Sequence, residues 1–178
     1  IATHLAAICI NRDRTDTALR ESREQLDFLS NFDALTGLAR RALFCDRLNQ
    51  FVLAARHGHK YLAVLLLDLV HFKSVNDSYG TAAGDALLKA VAGRLVEFGG
   101  SPLYVARIGG DRFAAVVPSL KQAGDLTRLL QNRIWKSIQE PFQFAEHELR
   151  VAARIGIALF PADGDDSESL FRNAEVAL

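Results

Sequence analysis

The sequence predicts an α/β layer fold with a mixed sheet, and three features carry that prediction. Tyr61 to Val70 is an almost unbroken apolar run of strand length, helical periodicities flank it on both sides, and Gly109-Gly110 separates two short β-type runs. A strand that is apolar on both faces is a central one, covered by helices above and below. Paired glycines supply the positive φ that a tight hairpin needs.

From Leu5 to Leu29 a weak heptad runs through Leu5, Ile8, Arg12, Thr15, Leu19, Ser22, Leu26 and Leu29. It reads either as a solvated helix on its own domain or as a connector helix that pairs with a second copy. The first unit is therefore residues 1–32, a linker helix, and the second is residues 33–178. In DALTGLARR (33–41) Gly37 breaks the helix, and an amphipathic helix follows through Leu43, Phe44, Leu48, Phe51, Val52 and Ala55 to His57-Gly58. After the central strand come a short helical turn near 72–79, a break at Gly80, and a helix over about 81–98 with Leu87, Leu88, Val91 and Leu95 on one stripe. Strands are expected at 103–108 and 113–117, a helix near 122–139, and strands near 142–144 and 149–160.

Composition sets limits on function. The chain has 178 residues, of which 49% are hydrophobic, and its 21 Lys+Arg balance 21 Asp+Glu, so no basic excess favours nucleic acid. The apolar run Leu62 to Leu67 stops at Asp68, far short of the roughly 20 residues that cross a bilayer. Cys9 and Cys45 lack metal-ligand spacing, and two cysteines are too few for a disulfide framework, which fits a reducing cytoplasm. With no initiator Met and an end inside the apolar-periodic segment Leu170, Phe171, Ala174, Ala177, Leu178, the expectation is a fragment of a longer protein.

Asp68 ends the most hydrophobic strand, where ligands gather in sheets of this kind. Asp111 follows Gly110 at the hairpin tip. Each has a bland alternative as a turn or capping residue. Should the hairpin lie beside the central strand, the two carboxylates converge, the usual protein share of a Mg²⁺ site that also uses substrate phosphates. Between them HFKSVNDSYGTAAGD sets Lys73, Asn76 and Asp85 around Gly80, Gly84 and a helix start. Backbone amides there suit phosphate, and Asn and Asp side chains can read a purine edge, although Lys73 also reads as a solvated charge. No Walker-type run, G-x-G-x-x-G, H-E-x-x-H or C-x-x-C occurs.

The ordered segments DALTGLARR, DLVHFKSVNDSYGTAAGD, RIGGDRF and RIGIALFPADG resemble the GGDEF family, the diguanylate cyclase domains that condense two GTP into cyclic di-GMP. The resemblance implies an α/β (α+β), adenylyl-cyclase-like fold with a central, mostly antiparallel sheet flanked by helices and preceded by a linker helix. It implies that Asp68, the carbonyl of Leu69 and Asp111 hold Mg²⁺ (or Mn²⁺), with Asp111 also catalytic. His71, Phe72, Lys73 and Gly110 then serve the nucleotide's phosphates, and Asn76 and Asp85 its guanine. Implied partners are GTP, a second copy meeting head to head and through the linker helix, an upstream sensory domain and a downstream EAL phosphodiesterase.

The sequence departs from the family pattern at defined places. Arg112 stands where the signature has Glu, Val70 where the strand end has a second Asp, Thr81 where a His follows Tyr-Gly, and Arg154 where the late strand has Ser. Arg40-Arg41 replaces Asn-Arg, and the R-x-x-D product site reads Gly100-Ser101-Pro102-Leu103, so product feedback is not expected. The pattern implies a domain that keeps a guanine nucleotide pocket, turns GTP over weakly or not at all, and regulates an attached output domain. The alternatives are an active cyclase and a ligand-free dimerisation module.

Overall fold

The computed structural model describes residues 26, 28–122, 124, 134 and 138–178. Its elements run α1 (Arg41–His57), β1 (Tyr61–Val70), α2 (Phe72–Tyr79), α3 (Thr81–Gly99), a 3₁₀ turn (Pro102–Tyr104), β2 (Val105–Gly109), β3 (Arg112–Leu120), β4 (Phe142–Phe144), β5 (His147–Leu149), β6 (Ala152–Phe160) and α4 (Ser167–Ala177).

Four strands form one sheet in the order β2-β3-β1-β6, and β4-β5 is a separate ribbon. Among the described residues every strand pair is antiparallel. The mixed sheet expected from the helix–strand alternation is thus replaced by the antiparallel one that the family resemblance implies. Because β1 and β2 are each antiparallel to β3, they run in the same direction, and the hairpin inserts β3 between them. The one parallel contact described is the isolated bridge of Ala39 to Ala106.

β1 divides the core by parity, as a two-residue repeat demands. Ala63, Leu65, Leu67 and Leu69 pack with Leu87, Leu88, Val91 and Leu95 of α3. Leu62, Val64 and Leu66 pack on the other face with Phe44, Leu48 and Val52 of α1 and Leu170, Phe171 and Ala174 of α4. Burying this many aliphatic side chains, each worth about 1.5–3 kcal/mol, drives formation of the three layers. The α4 backbone comes close to the sheet at Gly156, where a Cβ would lie 2.1 Å from the Ala174 carbonyl oxygen.

Two strand boundaries differ from the sequence reading. Leu103 and Tyr104 belong to the 3₁₀ turn, started by Pro102 and capped by the Ser101 hydroxyl, so β2 begins at Val105. The expected late strand is two pieces, β5 and β6, separated at Arg150 and Val151. Asp85 lies beyond the first turn of α3. The heptad positions Leu5 to Ser22 lie outside the described residues, as does most of the expected 122–139 helix, although Ile134 and Ile138 are buried in the core. Leu26, Phe28 and Leu29 are exposed. Among the described residues no helix is long and apolar enough to cross a membrane.

Candidate functional site

The predicted residues collect at the carboxyl end of β1. That strand ends at Val70, and His71 turns the chain into α2 with φ 61°, a left-handed conformation uncommon for a residue with a Cβ. His71 and Lys73 are exposed, and Phe72 and Asn76 are half-buried. Gly80 (φ 83°) then starts α3, beside exposed Thr81.

Asn76 is held in place by a gap. A Cβ at position 84 would lie 1.9 Å from Asn76 Oδ1 and 3.1 Å from Phe72 Cζ, so only glycine lets the side chains of α2 lie against α3. Exposed Asp85 is the next residue. Asn76 thus lies against α3 at Gly84, one residue before Asp85, and the two side chains offer an amide and a carboxylate, groups able to pair with donors and acceptors on a planar base.

The β2–β3 hairpin brings Asp111 to β1. Gly109 and Gly110 take φ 153° and 43°, and the Leu69 amide donates to the Asp111 carbonyl at 3.3 Å. The Arg107 guanidinium braces the tip, donating through Nε and Nη2 to the Gly110 carbonyl at 2.9 and 2.6 Å and through Nη1 to Asp33 Oδ2 at 3.0 Å. Asp33 also accepts from the Thr36 amide and hydroxyl. Burial pushes its carboxyl up, but the bonds from Thr36 and Arg107 outweigh this and hold it below the ordinary value of 3.8. This brace ties DALTGLARR to RIGGDRF, and neither Asp33 nor Arg107 stood out as a site residue in the sequence. Their opposite charges within two separate motifs were the available signal.

A second feature comes from strand register. Asp68 lies directly opposite Arg112 on β3 and opposite Arg154 on β6. Residues so paired project from one face, here the α1/α4 face, so the three side chains form a cross-strand row. Arg154 Nη2 donates to Asp68 Oδ2 at 2.5 Å, the aspartate side chain being 16% exposed and the arginine 65%. Arg112 Nη1 lies 3.5 Å from Glu175 Oε1 near the end of α4, with both side chains about half exposed. Two of the four altered positions thus flank the predicted metal aspartate.

The resemblance drawn from the sequence implies a divalent metal, and the donor set here can be tested against it. Asp68, the Leu69 carbonyl and Asp111 do share the end of β1. However, Asp68 is already paired with a guanidinium and has a second one opposite, and the described residues include no group of three His, Cys, Asp or Glu able to hold a metal ion. Asp68, Asp111 and Glu175 against Arg112 and Arg154 leave a single net negative charge, and Asp68 is already spent on Arg154. The residues as arranged do not fit a resident metal.

Recess volume does not locate this site. A recess of about 620 Å³ opens at the other end of β1, beside Arg56, His59, Lys60 and Tyr61, and contains none of the predicted residues. Another of about 450 Å³ lies along the hairpin, bordered by Asp33, Arg40, Arg107 and Gly110.

Comparison with known proteins places this geometry. Residues 30–178 match the family model described as the GGDEF domain of diguanylate cyclases. The bifunctional diguanylate cyclase/cyclic di-GMP phosphodiesterase MucR of Pseudomonas aeruginosa is 39% identical over 162 residues, covering 91% of this chain and 23% of MucR. The cyclic di-GMP phosphodiesterase NbdA of the same organism is 36% identical over 160 residues, covering 90% of this chain and 20% of NbdA. This chain thus spans less than a quarter of the length of either. Among solved structures, a sensory box/GGDEF family protein from Caulobacter crescentus superposes with a TM-score of 0.77 at 36% identity, covering 83% of this chain and 95% of the other. The coiled coil and GGDEF domain of DgcB from the same organism, solved with c-di-GMP, gives 0.78 at 26% identity, covering 97% and 91%. With the family model matched across most of its length and the antiparallel sheet and hairpin in register, the chain belongs to the GGDEF family, the diguanylate cyclase domains of cyclic di-GMP signalling.

Proposed function

We propose that this domain binds GTP and regulates an attached output domain, with weak or no cyclase activity of its own. The observation that carries the reading is the contrast between Asn76, seated against Gly84 beside Asp85, and the Arg112–Asp68–Arg154 row. In this reading Asn76 and Asp85 recognise guanine, while the His71–Lys73 turn and Gly110 meet the phosphates. In-line phosphoryl transfer needs metal to neutralise the triphosphate and a carboxylate beside the attacking hydroxyl. Arg112 and Arg154 oppose the first requirement, and Val70 offers no carboxylate in its place. Residues 1–32 serve to couple the domain to its input, and an EAL phosphodiesterase is the expected output in the full chain. The nucleotide arrives from solution as its magnesium or manganese complex.

A second reading, active condensation of two GTP, is supported by Asp111, which the hairpin holds beside Leu69, and by the likeness to bifunctional MucR. One sample separates the two. Calorimetry of the purified chain with GTP and Mg²⁺ is expected to detect binding, and chromatography of the same mixture no cyclic di-GMP. Product that disappears in Asp111→Ala establishes the cyclase instead. Absence of binding at millimolar GTP rejects both and leaves a ligand-free dimerisation module.

A further inference from the structure

We propose that the Arg112–Asp68–Arg154 row is a metal-independent polyphosphate site, in which two guanidinium groups supply the positive charge that a divalent ion supplies elsewhere in the family. The inference deepens the nucleotide reading above, but its phosphate part stands on the row's own geometry.

Three observations carry it. First, register fixes the two arginines on the strands either side of Asp68 and on the same face, at the β1 end that leads into the His71–Lys73 turn. Second, neither guanidinium is fully engaged. Arg154 spends Nη2 on Asp68 and is 65% exposed, while Arg112 is 44% exposed and its contact to Glu175 is long, 3.5 Å. A guanidinium has five N–H donors in a planar fork, so each arginine keeps donors for phosphate oxygens. Third, the mostly buried Asp68 holds the base of the row, so that Arg154 is positioned before any ligand arrives. A preset, charge-assisted bond loses less entropy on binding than a free arginine does.

Charge balance gives the same answer. Relative to the family pattern, two carboxylate positions are lost at Val70 and Arg112, and two cations are gained at Arg112 and Arg154. The change is similar in size to the charge a pair of divalent ions brings, but it is fixed to the protein. Asp68 and Glu175 formally balance the two arginines, so a polyphosphate binds here by displacing the long, exposed Glu175 contact and taking the donors that both guanidinium groups leave open, whereas a metal would meet arginine repulsion.

The test compares GTP and inorganic tripolyphosphate, each titrated calorimetrically into the purified chain in Mg²⁺ and in EDTA. Both ligands are expected to bind in EDTA with affinity within about threefold of that in Mg²⁺. In Arg112→Gln/Arg154→Gln, affinity in EDTA is expected to fall about tenfold or more for each, and lysine at both positions to restore part of it, because charge survives while the fork is lost. Unfolding curves confirm that each variant is folded, and the lysine variant keeps the test decisive if the glutamine one is not. Wild-type binding that collapses in EDTA overturns the inference and leaves the GTP reading intact. Tripolyphosphate binding without GTP binding overturns the guanine assignment and supports the row. Failure of tripolyphosphate to bind under either condition overturns the row.

Discussion

The carboxyl end of β1 has two sides, and they are filled by different rules. On the helical side, Asn76 has a seat against α3 that depends on the missing Cβ of Gly84, one residue before Asp85. On the strand side, Asp68 is flanked by arginines whose positions depend on register alone. One side is set by close packing and the other by charge. Packing tolerates little, since interiors are nearly as dense as organic crystals, whereas half-exposed side chains on a sheet can change sign with little effect on the fold. In the function proposed above, base recognition and phosphate handling fall on separate elements, so that the second can be rewritten without disturbing the first.

The largest expected effect breaks the strand side. Gly156→Ala puts a Cβ against the backbone of α4, which cannot give way as a side chain would. It should destabilise the chain by about 3 kcal/mol in denaturant unfolding and loosen Glu175 from Arg112. A stability loss below about 0.5 kcal/mol would mean that α4 is not seated on β6 as described.

The brace between the motifs comes next. Arg107→Ala leaves the half-buried Asp33 carboxylate without its charged partner and the Gly110 carbonyl without its donors, a loss of about 2 kcal/mol. Because Asp33 titrates below 3.8 when folded, its stabilising contribution is fully present above that value and is lost as pH falls through the lowered one. The variant should accordingly show a shallower loss of stability between pH 4 and the acid limit than the parent, read from urea midpoints at each pH.

The smallest stability effect sharpens the helical side. Gly84→Ala clashes with the movable end of Asn76, so stability should fall by only about 1 kcal/mol while GTP affinity drops about tenfold. Unchanged affinity in calorimetry would show that Asn76 does not need this seat.

Much of this arrangement was legible before any coordinates. The two-faced apolar run of β1, the Gly109-Gly110 turn, and the stripes of α1 and α3 are local patterns, and the structure reproduces them. What misled were places where local and long-range preferences compete. Leu103-Tyr104 reads as strand by side chain, yet Pro102 and the Ser101 cap turn it into 3₁₀. Helix–strand alternation suggested a mixed sheet because nothing local states which strand β1 accepts as its neighbour. Arg112 and Arg154 stand out only as departures from a pattern, 42 positions apart, with no sign that register sets them on either side of one aspartate.

By itself, the sequence determined the period of each element, the residues with chemistry to offer, and the family to which the chain belongs, because periodicity and ordered motifs are properties of short segments. The tertiary structure decided the strand order, the insertion of β3 between β1 and β2, the Asp33–Arg107 brace, and the register that sets Asp68 between Arg112 and Arg154, with Arg154 as its ion-pair partner. Those outcomes depend on register and on which surfaces bury each other, and a one-residue slip would turn the row to the opposite face.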